Sequence, residues 1–348
     1  MDLGDAPQVP IRNRRASMKD VARLAGVGEK TVSRVVNGEP NVSDKTKARV
    51  LTAIAELDFR PNNAARALAT NRSNSIGFLF YGGGYFGPSR ILEEVENAAR
   101  ALNYSVVLSR SKSGQTKDVQ KAIEWLISQD VDGILVYEPS DSPSLLAPEL
   151  NNIPVVVFEG NDTSPGDRIT LEGNGKLAAS LAVEHLLALG HETVHHIAGP
   201  MTWSSASTRC KGWEQALREN QRTIPPPKTG DWSAQSGYLA GRALAEIPDM
   251  TSIFCANDEM AIGAMKALHE AGLSIPNDVS IIGMDGIAIG EYLLTPLTTV
   301  KQDFQTIAMN GVNTLINQIQ GVTAKPLLTT PPTVKILTRG STAAPRKQ

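Results

Sequence analysis

The sequence predicts an α/β protein in two parts: an N-terminal all-α helix-turn-helix head, then a core of two doubly wound parallel-sheet lobes. Three observations carry this. Positive charge is concentrated near the front of the chain. Two short apolar-faced segments there flank a glycine. From residue 74 onward, continuous apolar strands alternate with amphipathic helices. The chain has 348 residues, more than one typical core and enough for two or three domains.

Charge sets the first expectation. The net charge is −2, yet residues 11–72 carry 13 Lys/Arg against 6 Asp/Glu, and residues 73–348 carry 21 against 28. A basic head on an acidic body is the footprint of local phosphate binding. Hydrophobic residues make up 41% and charged residues 20%, as in an ordinary globular protein. The sequence holds no apolar run of membrane-spanning length, and the polar N-terminus, with Arg12, Arg14 and Arg15, does not read as a secretory signal. A cytoplasmic protein is expected. Cys210 and Cys255 sit in no metal-ligand or CxxC spacing, so neither a disulfide framework nor a zinc site is expected. His195 and His196, inside the apolar run TVHHIAG, read as one packed ring and one exposed ring rather than as metal ligands. No cofactor is expected.

The head comes next. Val21, Leu24 and Ala25 share one helical face, and Gly26 suits the left-handed turn that ends that helix. A second helix runs from about Glu29 to Asn37 with Val32, Val35 and Val36 inward, and Gly38 and Pro40 end it. Two short helices joined by a glycine turn form a helix-turn-helix, whose second member enters the major groove of DNA. On that member Glu29, Lys30, Thr31, Ser33 and Arg34 fall outward or toward its N-terminus, and these types bond base edges and phosphates. Ser43 is the N-cap expected for a third helix with Val50, Ile54 and Leu57 as its apolar stripe. After Pro61, residues 62–69 are helix-compatible but small and polar, with Leu68 the one large apolar residue. Such a segment is too short to be stable alone. It could fold on DNA, with an apolar wedge in the minor groove, or serve as a plain linker with a packed leucine.

The run Ser17-Met18-Lys19-Asp20-Val21-Ala22, Gly26-Val27, Thr31-Val32-Ser33-Arg34-Val35-Val36-Asn37, Val42-Ser43, Leu57-Asp58-Phe59, Pro61-Asn62, Ala65-Arg66 and Leu68 resembles the head and hinge of the lactose-repressor (LacI/GalR) family. The resemblance implies that Glu29, Lys30 and Arg34 read bases and that Leu68 is the minor-groove wedge. Ser17, Lys19, Asn37, Asn62 and Arg66 join them as candidate DNA contacts. Gly28 stands where the family often has serine, so one capping oxygen and one phosphate contact are missing. Glu29 is unusual beside phosphates and could accept from a cytosine amino group.

In the body, strands are expected at Ile76–Phe80, Ser105–Leu108, Gly133–Tyr137, Pro154–Phe158, 193–197, Ser252–Ala256, Val279–Ile282, Leu297–Val300 and 334–338. Helices are expected near 88–102, 116–129, 175–190, 205–220, 234–246, 259–272 and 304–319. Apolar strands between amphipathic helices mean parallel sheets covered on both faces. The units are too many for one sheet, so two lobes with a ligand cleft at the carboxyl ends of the strands are expected. Gly82-Gly83-Gly84-Tyr85-Phe86-Gly87 fits G-x-G-x-x-G after a strand, the dinucleotide-binding context. The next strand runs into Ser109-Arg110 with no acid for a ribose, so a close-approach loop at the cleft mouth is preferred, with an NADP-linked site left as the remote alternative.

Other candidates sit at strand ends: Glu159, Asn257-Asp258, Asp285 and Gln302-Asp303, with Trp203, Arg209, Trp213 and Trp232 in loop-to-helix stretches. Carboxylates, amides, an arginine and indoles make a saccharide site. Asp258 also fits a helix N-cap and Trp213 a core anchor. The stretches around Ala198-Gly199-Pro200, Gly230-Asp231-Trp232, Ala256-Asn257-Asp258, Gly283 to Asp285 and Pro296 to Phe304 resemble the effector-binding core of the same family. This implies a periplasmic-binding-protein-like core, with Glu159, Arg209, Trp232, Asn257, Asp285 and Gln302 as ligand contacts and Phe304 at the floor. Tyr85, Tyr137 and Ser205 are added as candidates. Tyr137 stands where an amide is expected and Glu159 where an aspartate is, so the sugar need not be a β-galactoside.

The expected layout is an N-terminal extension at 1–16, a DNA-binding domain at 17–61, a hinge and linker at 62–73, and a core at 74–348. Its first lobe is about 74–172 plus 303–331, and its second about 173–302 plus 332–348. The polar tail TRGSTAAPRKQ has no leucine heptad, so a homodimer is expected rather than a coiled-coil tetramer. The expected partners are double-stranded operator DNA and a mono- or disaccharide that weakens DNA binding. A purine-like corepressor that strengthens it is the alternative. No catalytic constellation is evident, so an enzyme is not expected.

Overall fold

The computed structural model describes residues 16–60, 72–81, 84–111, 116–137, 153–158, 169–171, 174–322 and 331–346. The chain divides into two compact units, Met1–Ser73 and Asn74–Gln348.

The first unit contains α1 (Met18–Ala25), α2 (Glu29–Val36) and α3 (Asp44–Glu56). Ser17 and Asp20 form a reciprocal capping box at the start of α1. The serine oxygen accepts from the Asp20 amide, and the Asp20 carboxylate accepts from the Ser17 amide at 2.9 Å, which satisfies two otherwise orphaned donors. Gly26 closes α1 at φ 62°, ψ 43°, the left-handed region that glycine enters without a Cβ penalty. From α3, the Arg49 guanidinium donates to the carbonyls of Ala25 and Gly26. It thereby supplies positive charge to the carbonyl end of α1 and fixes the turn.

Val21, Ala22, Ala25, Val32, Val35, Val50, Ala53 and Phe59 form the core of this unit. Leu24, expected inside, is 49% exposed. At 100° per residue, Val21, Ala22 and Ala25 span one arc, and Leu24 lies about 110° from its centre. The small Ala22 therefore takes the inward position. Val36, Ile54 and Leu57 are only half-buried at its rim.

The second unit holds two sheets. The first contains β1 (Ser75–Tyr81), β2 (Ser105–Ser111), β3 (Gly133–Tyr137), β4 (Val155–Phe158) and β5 (Ile169–Leu171). Its order is β2-β1-β3-β4-β5, with every pairing parallel. Ile76 and Phe78 of β1 pack against α4 (Phe86–Ala101) and α10 (Phe304–Ile319). Leu79 packs on the other face against α5 (Thr116–Ser128). Side chains alternate across a strand, so a sheet covered on both faces needs the continuous apolar runs seen here.

The second sheet contains β6 (His195–Ala198), β7 (Lys228–Thr229), β8 (Ser252–Cys255), β9 (Ser280–Asp285), β10 (Thr298–Gln302) and β11 (Val334–Leu337). Its order is β11-β10-β9-β8-β6-β7, with β11 antiparallel to β10. The helices α6 (Gly175–Ala188) and α7 (Ser204–Glu219) cover one face, and α8 (Ala234–Ala245) and α9 (Asp258–Glu270) cover the other. After β10 the chain returns to the first sheet as α10, and it comes back as β11.

Three elements were not expected: β5, β7 and a 3-10 turn at Ala288–Tyr292. They are three, two and five residues long, too short to show a period. His196 is buried and stacked between Trp213 (5.1 Å) and Phe254 (4.8 Å), with Nδ1 on the Phe254 carbonyl oxygen at 2.9 Å. The other ring of the pair, His195, is half-buried rather than exposed. Trp213 is a core anchor, fully buried with its indole N–H on the Val194 carbonyl at 2.8 Å. Among the described residues no helix is long and apolar enough to cross a membrane, and no three His, Cys, Asp or Glu group as a metal site.

Candidate functional site

On the head, Lys19, Glu29, Lys30, Arg34 and Asn37 are exposed, while Thr31 and Ser33 are half-buried. Val32 and Val35 face inward and hold the opposite side of α2 to α1 and α3. Gly28 caps α2 without a side-chain bond. Asn37 donates to the Ser33 hydroxyl at 3.3 Å. The Ser17 hydroxyl donates to Asp20 at 2.6 Å, so the capping box already engages it. Asn62, Arg66 and Leu68 lie outside the described residues, as do Glu159, Gly82 and Gly83.

In the core, a cleft between the two sheets is lined by Tyr85, Phe86 and Tyr137 from the first lobe. Trp203, Ser205, Arg209, Trp232, Asn257 and Asp285 line it from the second. Gln302 and Phe304 line an adjoining chamber that shares Phe86 and Asp285. The structure thus gathers every described residue of the expected ligand set around one crevice, from segments more than 200 residues apart.

The centre of the crevice is a buried polar network. One Asp285 carboxylate oxygen accepts from Gln302 Nε2 at 2.7 Å and from Arg209 Nη2 at 3.5 Å. The Arg209 and Asp285 side chains are only 6% and 4% exposed. Removing either partner would strand a charge in a low-dielectric site. Arg209 also donates to the Ala256 carbonyl, and its guanidinium carbon lies 5.4 Å from the Trp232 ring centroid. That is cation–π range. Gly199 makes room for the indole, since a Cβ there would lie 2.3 Å from it.

Two of these groups sit on strained backbone: Trp232 at φ 75° and Asp285 at φ 114°. Both are pinned by the start of α9. Asn257, not Asp258, is its N-cap, and accepts from the Met260 amide at 3.0 Å. The same amide side chain donates to the Trp232 carbonyl at 2.9 Å and to Glu259 at 2.8 Å. Asp258 sits one position inside the helix, where its carboxylate accepts from Thr299 Oγ1 at 2.7 Å and the Ile287 amide at 2.8 Å. This holds the turn that carries Asp285. Burial, and then the charge of Asp285, push the Asp258 carboxyl up to about 8, so its environment favours the protonated form at neutral pH.

Among the described residues, three buried polar atoms of the crevice have no partner: Arg209 Nε, Trp232 Nε1 and Gln302 Oε1. They are two donors and one acceptor around a carboxylate, a pattern that hydroxyl groups satisfy from either side. The lobes also touch. The Tyr85 hydroxyl donates to the Asp231 carbonyl at 3.0 Å, and the Phe86 amide donates to Glu259 at 3.2 Å. Tyr85 and Trp203 meet edge-on at 6.2 Å, as do Trp203 and Trp232 at 5.9 Å. Burial, with the nearby charges of Asp231 and Glu259, raises the Tyr85 hydroxyl pKa. The space left in the cleft is about 30 Å³, the share of a single liquid water. Phe86 and Glu259 carried no sequence signal, because their contact joins residues 173 apart.

A basic helix-turn-helix head on a two-lobed sensor core defines a ligand-responsive, DNA-binding transcriptional regulator. Comparison with known proteins places it further. Residues 17–62 match the model for bacterial regulatory proteins of the lacI family, and residues 183–342 match a periplasmic binding protein-like domain. The chain is 36% identical to the lactose operon repressor of Escherichia coli (strain K12), over 95% of this chain and 92% of the relative. It is 35% identical to the HTH-type transcriptional repressor PurR of Haemophilus influenzae (strain PittEE), over 87% and 91%. It superposes on the lac repressor dimer bound to operator and the anti-inducer ONPF with TM-score 0.82 at 33% identity, covering 95% of this chain and all of that one. The chain belongs to the lacI family of bacterial regulatory proteins.

Proposed function

We propose that this protein is a homodimeric repressor that grips a palindromic operator and releases it when a small saccharide enters the cleft. The observation that carries the effector class is the set of unpartnered buried atoms, Arg209 Nε, Trp232 Nε1 and Gln302 Oε1, around the paired Asp285. Burying such atoms unpaired costs about 1–3 kcal/mol each, which a polyhydroxylated ligand recovers. The likeness to the lactose operon repressor supports the same reading.

For DNA, α2 presents Glu29, Lys30 and Arg34 to the major groove, with Ser17, Lys19, Thr31, Ser33 and Asn37 as flanking contacts. Residues 62–73 act as the hinge, where Asn62 and Arg66 meet the backbone and Leu68 wedges the minor groove. Dimerisation is supported by the exposed Ile289, Tyr292 and Leu294, the last of which lines a groove with Ile262, Met265, Leu273 and Ile275. An apolar surface of this kind favours a second copy of the chain. Coupling between cleft and head is reciprocal, so DNA weakens sugar binding by the factor with which sugar weakens DNA binding.

The aromatic walls Tyr85, Phe86, Trp203 and Trp232 favour a second reading in which a flat, purine-like corepressor strengthens DNA binding. A calorimetric screen of sugars and purines, with Trp232 fluorescence as a second readout, separates the two. Saturable binding of a sugar that is lost in Gln302→Ala supports the saccharide. Binding of purines alone overturns it.

A further inference from the structure

We propose that the chamber beside the effector cleft is an oxyanion site, built for a phosphate or carboxylate group by Lys301 and Lys335. The chamber encloses about 520 Å³, far more than the roughly 30 Å³ left in the aromatic cleft. It falls within the range typical of small-molecule pockets. Lys301 on β10 and Lys335 on β11 are directly opposed in the antiparallel register, so both side chains leave the same face of the sheet. Both line the chamber. Like charges directly opposed are destabilising, and among the described residues neither lysine has an ion-pair or hydrogen-bond partner.

The acids of the same wall are occupied elsewhere. Asp285 is held by Gln302 and Arg209. Glu94 pairs with Arg90 at 2.6 Å. Asp303 caps α10 through the Thr306 amide at 3.1 Å, and accepts from the Thr333 amide and hydroxyl at 3.3 and 3.2 Å. Asp303 is held by neutral donors alone, yet among the described residues no carboxylate comes within ion-pair distance of Lys301 or Lys335, although three carboxylates line the same chamber. An oxyanion between the two lysines would relieve their repulsion and accept from both ammonium groups.

The site is also placed to matter. The Lys301 stem lies against Gly286, where an added Cβ would meet Lys301 Cβ at 3.0 Å. Gly286 follows Asp285, the centre of the effector network, so an anion on Lys301 bears directly on the turn that presents Asp285. Arg90 and Phe86 of the first lobe form the facing wall, so the bound group sits where the lobes meet. The oxyanion has two possible sources: a phosphate ester on the effector itself, or a separate free anion.

Calorimetry on the full chain at neutral pH and fixed ionic strength tests this, with inorganic phosphate, glucose 6-phosphate and glucose as probes. The comparison is between the unmodified protein and the Lys301→Gln/Lys335→Gln double variant, with Lys335→Arg as the charge-conserving control. The expected result is saturable phosphate binding that weakens at least tenfold in the double variant and survives in Lys335→Arg. Phosphate alone saturating the site identifies a free anion. Tighter binding of glucose 6-phosphate than of both phosphate and glucose identifies an anionic effector. Equal binding of both anions by the unmodified protein and the double variant, or no binding by either, overturns the proposal. Circular dichroism of the variants checks that the exposed substitutions leave the fold intact.

Discussion

The two lobes of the core share a sheet-and-helix plan but divide the cleft unequally. The second lobe supplies the buried charges and amides: Arg209, Asn257, Asp285 and, at the end of β10, Gln302. It also contains both strained positions, Trp232 and Asp285, and the α9 N-terminus that braces them. The first lobe contributes rings and one backbone amide: Tyr85, Phe86 and Tyr137. The difference teaches how such a sensor separates its tasks. On the proposed reading, polar recognition falls to one half, where Arg209, Asp285 and Gln302 are already bonded to one another. Among the described residues, the other half meets it through the Tyr85 hydroxyl, the Phe86 amide and the edge-on contact of Tyr85 with Trp203.

Three substitutions test that division, in order of expected effect. Arg209→Ala strikes the polar half. It removes the partner of a carboxylate that is 4% exposed, and the uncompensated charge costs roughly 3–5 kcal/mol. Effector binding measured by calorimetry should fall at least about a hundredfold, while operator binding persists. Normal release of DNA by sugar in this variant would remove Arg209 from the site.

Asp258→Asn tests the brace through its pH dependence. The folded carboxyl titrates near 8 against about 3.9 in the unfolded chain. The folded state therefore holds the extra proton between those values. That contribution to stability is fully present below about pH 4, and is lost as pH rises through about 8. The slope reaches at most about 1.4 kcal/mol per pH unit. His196 works the other way. Burial first, with the Arg209 charge, lowers it to about 4, so its contribution is lost as pH falls through about 6.5 toward 4. Urea unfolding from pH 5 to 9 should show the unmodified protein losing stability relative to Asp258→Asn as pH rises. Parallel curves would mean that Asp258 is ionised throughout.

Tyr85→Phe removes one cross-lobe hydrogen bond, to the Asp231 carbonyl. A partly exposed bond of this kind is worth about 0.5–1.5 kcal/mol. Effector affinity should change by no more than about tenfold, in contrast to Arg209→Ala. A loss as large as that of Arg209→Ala would mean that the first lobe recognises the ligand rather than covering it.

Local patterns made most of the fold readable from sequence. Val155-Val156-Val157-Phe158 and Ile281-Ile282 had to be strands covered on both faces, and Val32 and Val35 had to face inward on a short helix. What stayed hidden was non-local or too short to have a period. Leu24 looked like core by spacing, but Ala22 took the place, because three helices packing together decide which arc is buried. The strand end suggested Asp258 as the cap of α9, and the structure gives that place to Asn257. That depends on Thr299, 41 residues away, and on Ile287. Asp285 and Gln302 could be named as candidates from strand-end position and Arg209 and Trp232 from loop-to-helix stretches, and the family resemblance implied them as a set. Their mutual bonds, and the latch between Phe86 and Glu259, exist only once both lobes are assembled.

The central claim is that occupancy of this cleft sets the grip of the head on DNA. Fluorescence anisotropy with a labelled operator duplex and a random duplex at the same moderate salt tests it most directly, with and without a saturating sugar found by calorimetry. The account predicts specific binding to the operator, an affinity drop of about five- to 150-fold on adding sugar, and no such drop in Gln302→Ala. Operator affinity that is unchanged by every ligand that binds the cleft would contradict it.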